Sequence, residues 1–171
     1  DHIGDSAHAP IKGIVHRYRD RVLLKPQHAC PVYCRFCFRR EAVGPGKEAL
    51  TVEELDAAIA YIADHPEIWE VILSGGEPLL LSARRLGDIT RRLSTIAHLG
   101  VVRIHTRAPI AIPEHIDDDI IAALRIPIDH GKASYVTVHC NHPRELTTPA
   151  RSARVMATDS QSGIGQSSVW L

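Results

Sequence analysis

The 171-residue sequence lacks most features of a specialised architecture. It has no net charge, with 20 Lys and Arg against 20 Asp and Glu, which excludes a chain-wide attraction to nucleic acid or anionic membrane. No apolar run approaches the roughly 20 residues that span a bilayer, and no charged-then-apolar segment opens the chain, so a cytoplasmic protein is expected and a membrane partner is not. Four cysteines are too few and too bunched for a disulfide scaffold, because Cys30, Cys34 and Cys37 lie close together and Cys140 stands alone. Lysine is confined to Lys12, Lys25, Lys47 and Lys132, leaving arginine as the main cation. Methionine is scarcer still: Met156 is the only one and Asp1 is the first residue, so a piece of a longer product is expected. There is no internal repeat. With 44% hydrophobic and 23% charged residues, the remainder suits one folded domain that buries roughly 70% of its unfolded surface.

What is present alternates between strands and helices. Val22-Leu23-Leu24 and Val71-Ile72-Leu73 are short apolar runs that read as buried strands, stopped by Pro26 and by Gly75-Gly76. Val101 to Ile104 and Tyr135 to Val138 repeat the pattern, and Ser168 to Leu171 begins a fifth. Between them, Thr51 and Glu54 form a capping box ahead of Leu55, Ala58, Ile59 and Ile62, with Pro66 as the stop. Leu86, Ile89, Leu93 and Ile96 mark a second helix that Gly100 ends, and Ile116, Ile120, Ile121 and Leu124 a third. This order predicts right-handed βαβ units and a parallel sheet, hence an α/β fold, open or part of a barrel. Residues 1–157 are read as the core and 158–171, rich in Ser, Gly and Gln, as a divergent tail or truncated strand.

The unusual residues fall where strands end: Cys30, then Ser74-Gly75-Gly76-Glu77, then His105-Thr106-Arg107, then His139-Cys140-Asn141-His142. In parallel α/β folds these carboxyl ends share one rim, so four polar clusters imply one composite site. The spacing Cys30-x3-Cys34-x2-Cys37 puts three thiolates within reach of one iron–sulfur cube, leaving one iron open to a ligand. The alternative is a zinc shell completed by His28 or Cys140. Phe36 stands where an aromatic ring could pack on a ligand beside the cluster.

With Phe36 inside the cysteine motif and Ser74-Gly75-Gly76-Glu77-Pro78 one helix later, the sequence resembles the radical S-adenosylmethionine superfamily, whose fold is a full or partial (β/α) barrel. The resemblance implies that Cys30, Cys34 and Cys37 hold a [4Fe–4S] cluster. It also implies that Phe36, Ser74, Gly75, Gly76, Glu77, Thr106 and His139 surround S-adenosylmethionine, with Arg107 on the same rim. Glu77 would pair with the methionyl ammonium. For Glu77 the bland alternative is a helix-start acid, and for the glycines a plain turn.

Asp1 to Asp5, Lys12 to Tyr18, Asp20 to Leu24, Cys34 to Arg40, Arg103 to Pro109 and His139 to Thr147 resemble more closely the lysine 2,3-aminomutase family. That likeness implies an isomerase that moves an amino group between C2 and C3 of an amino acid, with pyridoxal 5′-phosphate as carrier. Residues 1–21 would help form the pyridoxal phosphate pocket through Arg17, Tyr18 and Arg21, and Arg39 would bind the substrate α-carboxylate, since guanidinium forks suit phosphate and carboxylate. The alternative for these arginines is solvation or pairing with Asp20 and Glu41. The implied partners are a small amino acid, lysine first, and an electron donor such as a flavodoxin or ferredoxin; a homo-oligomer is compatible. The pyridoxal phosphate lysine and the barrel strands beyond are not among these residues, so the fold is expected to be incomplete at its C-terminal end and the chain alone to be inactive. Rival readings are a glutamate or translation-factor-related lysine aminomutase and a non-catalytic metal-binding fragment. Arg84, Arg85, Arg91 and Arg92 read as a solvated helix face.

Overall fold

The computed structural model describes residues 4–32, 34, 35, 37, 39–46 and 48–145, and the backbone of 165–170. Phe36 and residues 158–164 lie outside the described residues.

Six strands form one sheet in chain order: β1 (Ile14–Tyr18), β2 (Arg21–Gln27), β3 (Glu70–Gly75), β4 (Val101–Thr106), β5 (Ala133–His139) and β6 (Gly165–Trp170). β1 pairs antiparallel with β2, and β2 to β6 run parallel. The sheet is not closed: it is the α/β arrangement of a partial barrel. β1 was not anticipated, because His16-Arg17-Tyr18 interrupts any apolar alternation.

Among the described residues four α-helices follow the strands: α1 (Val52–Ala63), α2 (Ala83–Ser94), a single turn α3 (Ala108–Ala111) and α4 (Asp118–Asp129). The Thr51 capping box forms as its spacing predicts, with Glu54 N donating to Thr51 Oγ1 at 3.2 Å and Thr51 N to Glu54 Oε2 at 2.9 Å. Leu55, Ala58, Ile59 and Ile62 are buried. The helix ends at Ala63, ahead of Pro66. In α2, Leu86, Ile89 and Leu93 are fully covered, each worth roughly 1.5–3 kcal/mol on burial. Gly87 faces Ile126 and Ala123 of α4, and Thr90 Oγ1 donates to Ala123 O at 2.9 Å across that contact. Ile116 lies just before the α4 N-cap, where Asp117 accepts from Ile120 N at 2.8 Å. The lone turn α3 carries Pro109 at its start, too short a segment for periodicity to reveal.

The continuous apolar core lies on one face of the strands. Val22, Leu24, Val71, Leu73, Val102, Ile104 and Val136 face the helices. Alternate positions Leu23, Ile72, Arg103 and Tyr135 are half-buried and His105 is exposed on the opposite face, which is the concave side of the partial barrel. The continuous apolar runs of β2 and β3 therefore overstate their burial. On the concave face Glu70 is buried between two cations: Arg103 Nε reaches it at 2.5 Å and Arg21 Nη1 at 3.6 Å.

Candidate functional site

The Gly75-Gly76 turn is dictated by sterics. Gly75 has φ +103°, and a Cβ there would lie 2.7 Å from the Gln27 carbonyl; one on Gly76 would overlap the Ala29 carbonyl oxygen. The absence of side chains lets Gly76 N donate to Gln27 O at 2.9 Å and Glu77 N to Ala29 O at 2.8 Å. These bonds prolong the pairing of β2 with β3 up to the residue before Cys30.

A cavity of about 390 Å³ opens at the carboxyl ends of β2 to β5. It is lined by Cys30, Cys34 and Cys37, by Ser74, Gly75, Gly76 and Glu77, by Thr106 and Arg107, by His139, and by Arg39. Every described residue expected around the cluster and S-adenosylmethionine thus lies along one hollow. Ser74, Gly75, Thr106 and His139 belong to the strand ends themselves rather than to the loops after them. His105 and Thr137 also line it. Thr137 was not singled out from the sequence, although it shares a strand face with His139 by the period of two.

All four cysteines are free thiols. Among the described residues no set of three or more His, Cys, Asp or Glu side chains stands close enough to hold a metal ion as it is, so the three sulfurs share a wall rather than a finished shell. Their chemistry suits an iron–sulfur cluster. Burial pushes the Cys30 thiol above its usual range, and the nearby Glu77, Cys34 and Cys37 add to the rise. Cationic iron would reverse that balance and favour thiolates. Cys140 is buried and its thiol donates to His142 O at 3.3 Å, a bond internal to the loop after β5.

Glu77 is 3% exposed. Its Oε1 accepts from Thr106 Oγ1 at 2.5 Å and Leu79 N at 3.1 Å, and its Oε2 from Arg107 N at 2.7 Å. The carboxyl therefore ties the turn after β3 to the end of β4. Burial raises its pKa despite these donors, which work in the opposite direction.

Arg39 lines this cavity and a second one of about 300 Å³, formed also by Arg17, Tyr18, Arg21, Leu23, Ile72 and Asp5. The two hollows share one cation. Arg39 Nε donates to Asp5 Oδ2 at 3.0 Å, and Lys25 Nζ lies 3.8 Å from the same oxygen. Asp5 thus occupies the guanidinium expected to meet a carboxylate, a partnership 34 residues apart that no local pattern announces. Arg21 pairs with Asp20 at 2.7 Å as well as with Glu70, and Tyr18 is 61% exposed. Arg92 pairs with Asp56 at 2.7 Å, while Arg85 donates to the Leu50 carbonyl.

Residues 24–146 match the Radical SAM superfamily. The chain is similar to the L-lysine 2,3-aminomutase of Fusobacterium nucleatum, 36% identical over all of this chain and 39% of the relative. It is also similar to the L-lysine 2,3-aminomutase of Bacillus subtilis, 41% identical over 73% of this chain and 26% of the relative. A putative L-lysine 2,3-aminomutase of Aquifex aeolicus is 40% identical over 84% of this chain and 38% of the relative. The chain spans about two fifths of the length of the first of these relatives.

Proposed function

Since the chain belongs to the radical SAM superfamily, we propose that its residues form the cluster- and S-adenosylmethionine-binding part of an amino acid 2,3-aminomutase, an isomerase acting on lysine with pyridoxal phosphate. The observation that carries this reading is the cavity at the strand ends, whose lining brings three free thiols together with the Gly75-Gly76-Glu77 turn. Cys30, Cys34 and Cys37 would hold the cluster, which supplies one electron for reductive cleavage of S-adenosylmethionine and so a radical able to abstract hydrogen from the substrate.

The chain's own residues have definable tasks. Gly75 and Gly76 let a ligand's polar groups approach the backbone. Glu77, buried and near the thiols, would meet an ammonium as a carboxylate, so S-adenosylmethionine binding tightens as pH rises through the raised pKa. Thr106 fixes the Glu77 carboxyl, and His139 lines the same cavity. Arg39 exchanges Asp5 for the substrate carboxylate, placing the amino acid between the two cavities. Arg17 and Arg21 would meet a phosphate, with Tyr18 beside it.

Anaerobic reconstitution followed by iron, sulfide and zinc analysis tests the first step. Four irons with four sulfides and saturable S-adenosylmethionine binding are expected. Stoichiometric zinc without sulfide would overturn the reading.

A further inference from the structure

Arg107 touches three parts of the site at once. Its backbone N–H donates to Glu77, its Nη1 donates to Cys34 Sγ at 3.2 Å, and its Nη2 donates to Glu145 Oε1 at 2.6 Å. The other oxygen of Glu145 accepts from Asn141 N at 3.0 Å, which anchors the carboxylate to the loop after β5. The Arg107 side chain is 17% exposed, and its Nε is buried with no acceptor. A guanidinium placed only for solubility would be hydrated and would not hold a sulfur. Here it is fixed on both sides, and its Nε–H is buried without an acceptor.

We infer that Arg107 is a positioning residue for electron uptake: its guanidinium, oriented by Glu145, donates a charge-assisted hydrogen bond to the Cys34 sulfur and raises the reduction potential of the cluster. The inference rests on the cluster reading above. One electron from an external donor adds one negative charge to the cluster, and no bond to Arg107 forms or breaks. A cationic N–H donor stabilises the more negative, reduced state; hydrogen bonds to the sulfurs and local charge are established determinants of such potentials. Glu145 acts in two ways. It orients the guanidinium, and its own negative charge partly offsets the effect.

The experiment is a redox titration of the reconstituted 171-residue chain with dithionite and mediators, followed by electron paramagnetic resonance, without S-adenosylmethionine. Arg107→Gln is expected to lower the reduced-to-oxidised ratio at a fixed potential about tenfold, equivalent to about 59 mV for a one-electron couple. Arg107→Lys, which keeps the charge, is expected to fall between the two. Glu145→Gln is expected to shift the midpoint upward, because it removes a negative charge and keeps a hydrogen-bond acceptor. A purely structural disturbance has no reason to produce shifts of opposite sign. Unchanged midpoints in Arg107→Gln and Glu145→Gln, or shifts in the same direction, would overturn the inference. If Arg107→Gln does not hold a full complement of iron and sulfide, Glu145→Gln decides alone: an upward shift supports the inference and any other result defeats it. Wild-type protein without sulfide would defeat the cluster reading and this inference together, an outcome separate from a sound cluster with unshifted variants.

Discussion

The two cavities joined by Arg39 are built on different principles. At the carboxyl ends of β2 to β5, the polar groups are buried and bonded to one another: Glu77 to Thr106 and Arg107, Arg107 to Cys34 and Glu145. On β1 and at the start of β2, Arg17, Tyr18 and Arg21 stand exposed. The first hollow is held by the fold and helps to hold it. The second is attached to the fold and can change at little cost to it. Substitutions in the first should therefore alter structure and ligand binding together, and those in the second should alter ligand binding alone.

The largest effect belongs to the thiols. Cys30→Ala, Cys34→Ala or Cys37→Ala should each abolish a stable four-iron cluster, whereas Cys140→Ala should retain it, as read by iron, sulfide and visible absorbance after reconstitution. Loss of the cluster only in Cys140→Ala would place the metal elsewhere. Next comes Gly76→Ala, which drives a methyl group into the Ala29 carbonyl and should destabilise the fold by about 2–4 kcal/mol in denaturant titration. Gly46→Ala is the control: its φ is positive, +71°, unlike that of Gly76, and nothing lies within 4 Å, so only the conformational cost of about 1–2 kcal/mol applies. Equal losses would show that the strand end yields to the methyl group, so that close approach at Gly76 costs no more than an unfavourable backbone conformation elsewhere.

Glu77→Gln sharpens the contrast through pH. Because burial raises the folded-state pKa of Glu77 above its ordinary 4.5, its contribution to stability is fully present below the unfolded value and is lost as pH rises through the folded one. The wild-type protein should show that fall and Glu77→Gln should not. The variant also sets an amide NH2 against N–H donors, which costs about 1–3 kcal/mol at all pH values. Its S-adenosylmethionine affinity should be weaker and should lose the rise with pH. Parallel stability curves for the two proteins would mean that Glu77 binds its proton equally well in the folded and unfolded states.

The sequence discloses the helical side of the molecule better than the concave side. In α1 the apolar spacing and the Thr51 cap follow directly from local order, and the same four residues are buried that the pattern selects. The strand ends are legible for a similar reason, since glycines and clustered cysteines punctuate the chain where it must turn. What local order hides is pairing across the chain. Asp5 with Arg39 and Glu77 with Thr106 are contacts between segments 34 and 29 residues apart. Nor does an apolar run such as Val71-Ile72-Leu73 reveal that one of its faces lines a hollow. β1 escapes because its outer half carries His16, Arg17 and Tyr18, residue types set by an edge position rather than by a core.

The smallest structural effect is expected at Arg17 and Arg21, and there the comparison is most exposed to failure. Arg21 is bonded to Asp20 and lies near Glu70, but its side chain is 45% exposed, so solvent screens these pairs. Arg17→Gln and Arg21→Gln should leave the denaturation midpoint and the cluster content unchanged. If this cavity receives a phosphate, each should weaken pyridoxal phosphate binding about three- to tenfold, and a tenfold loss corresponds to about 1.4 kcal/mol. Pyridoxal without its phosphate isolates the contribution: its affinity should be the same for both variants and wild type. Were pyridoxal and pyridoxal phosphate to weaken equally, the arginines would be shaping the pocket rather than meeting the phosphate. A lowered midpoint would mean instead that the edge beside β1 is as integral to the fold as the rim that carries the thiols.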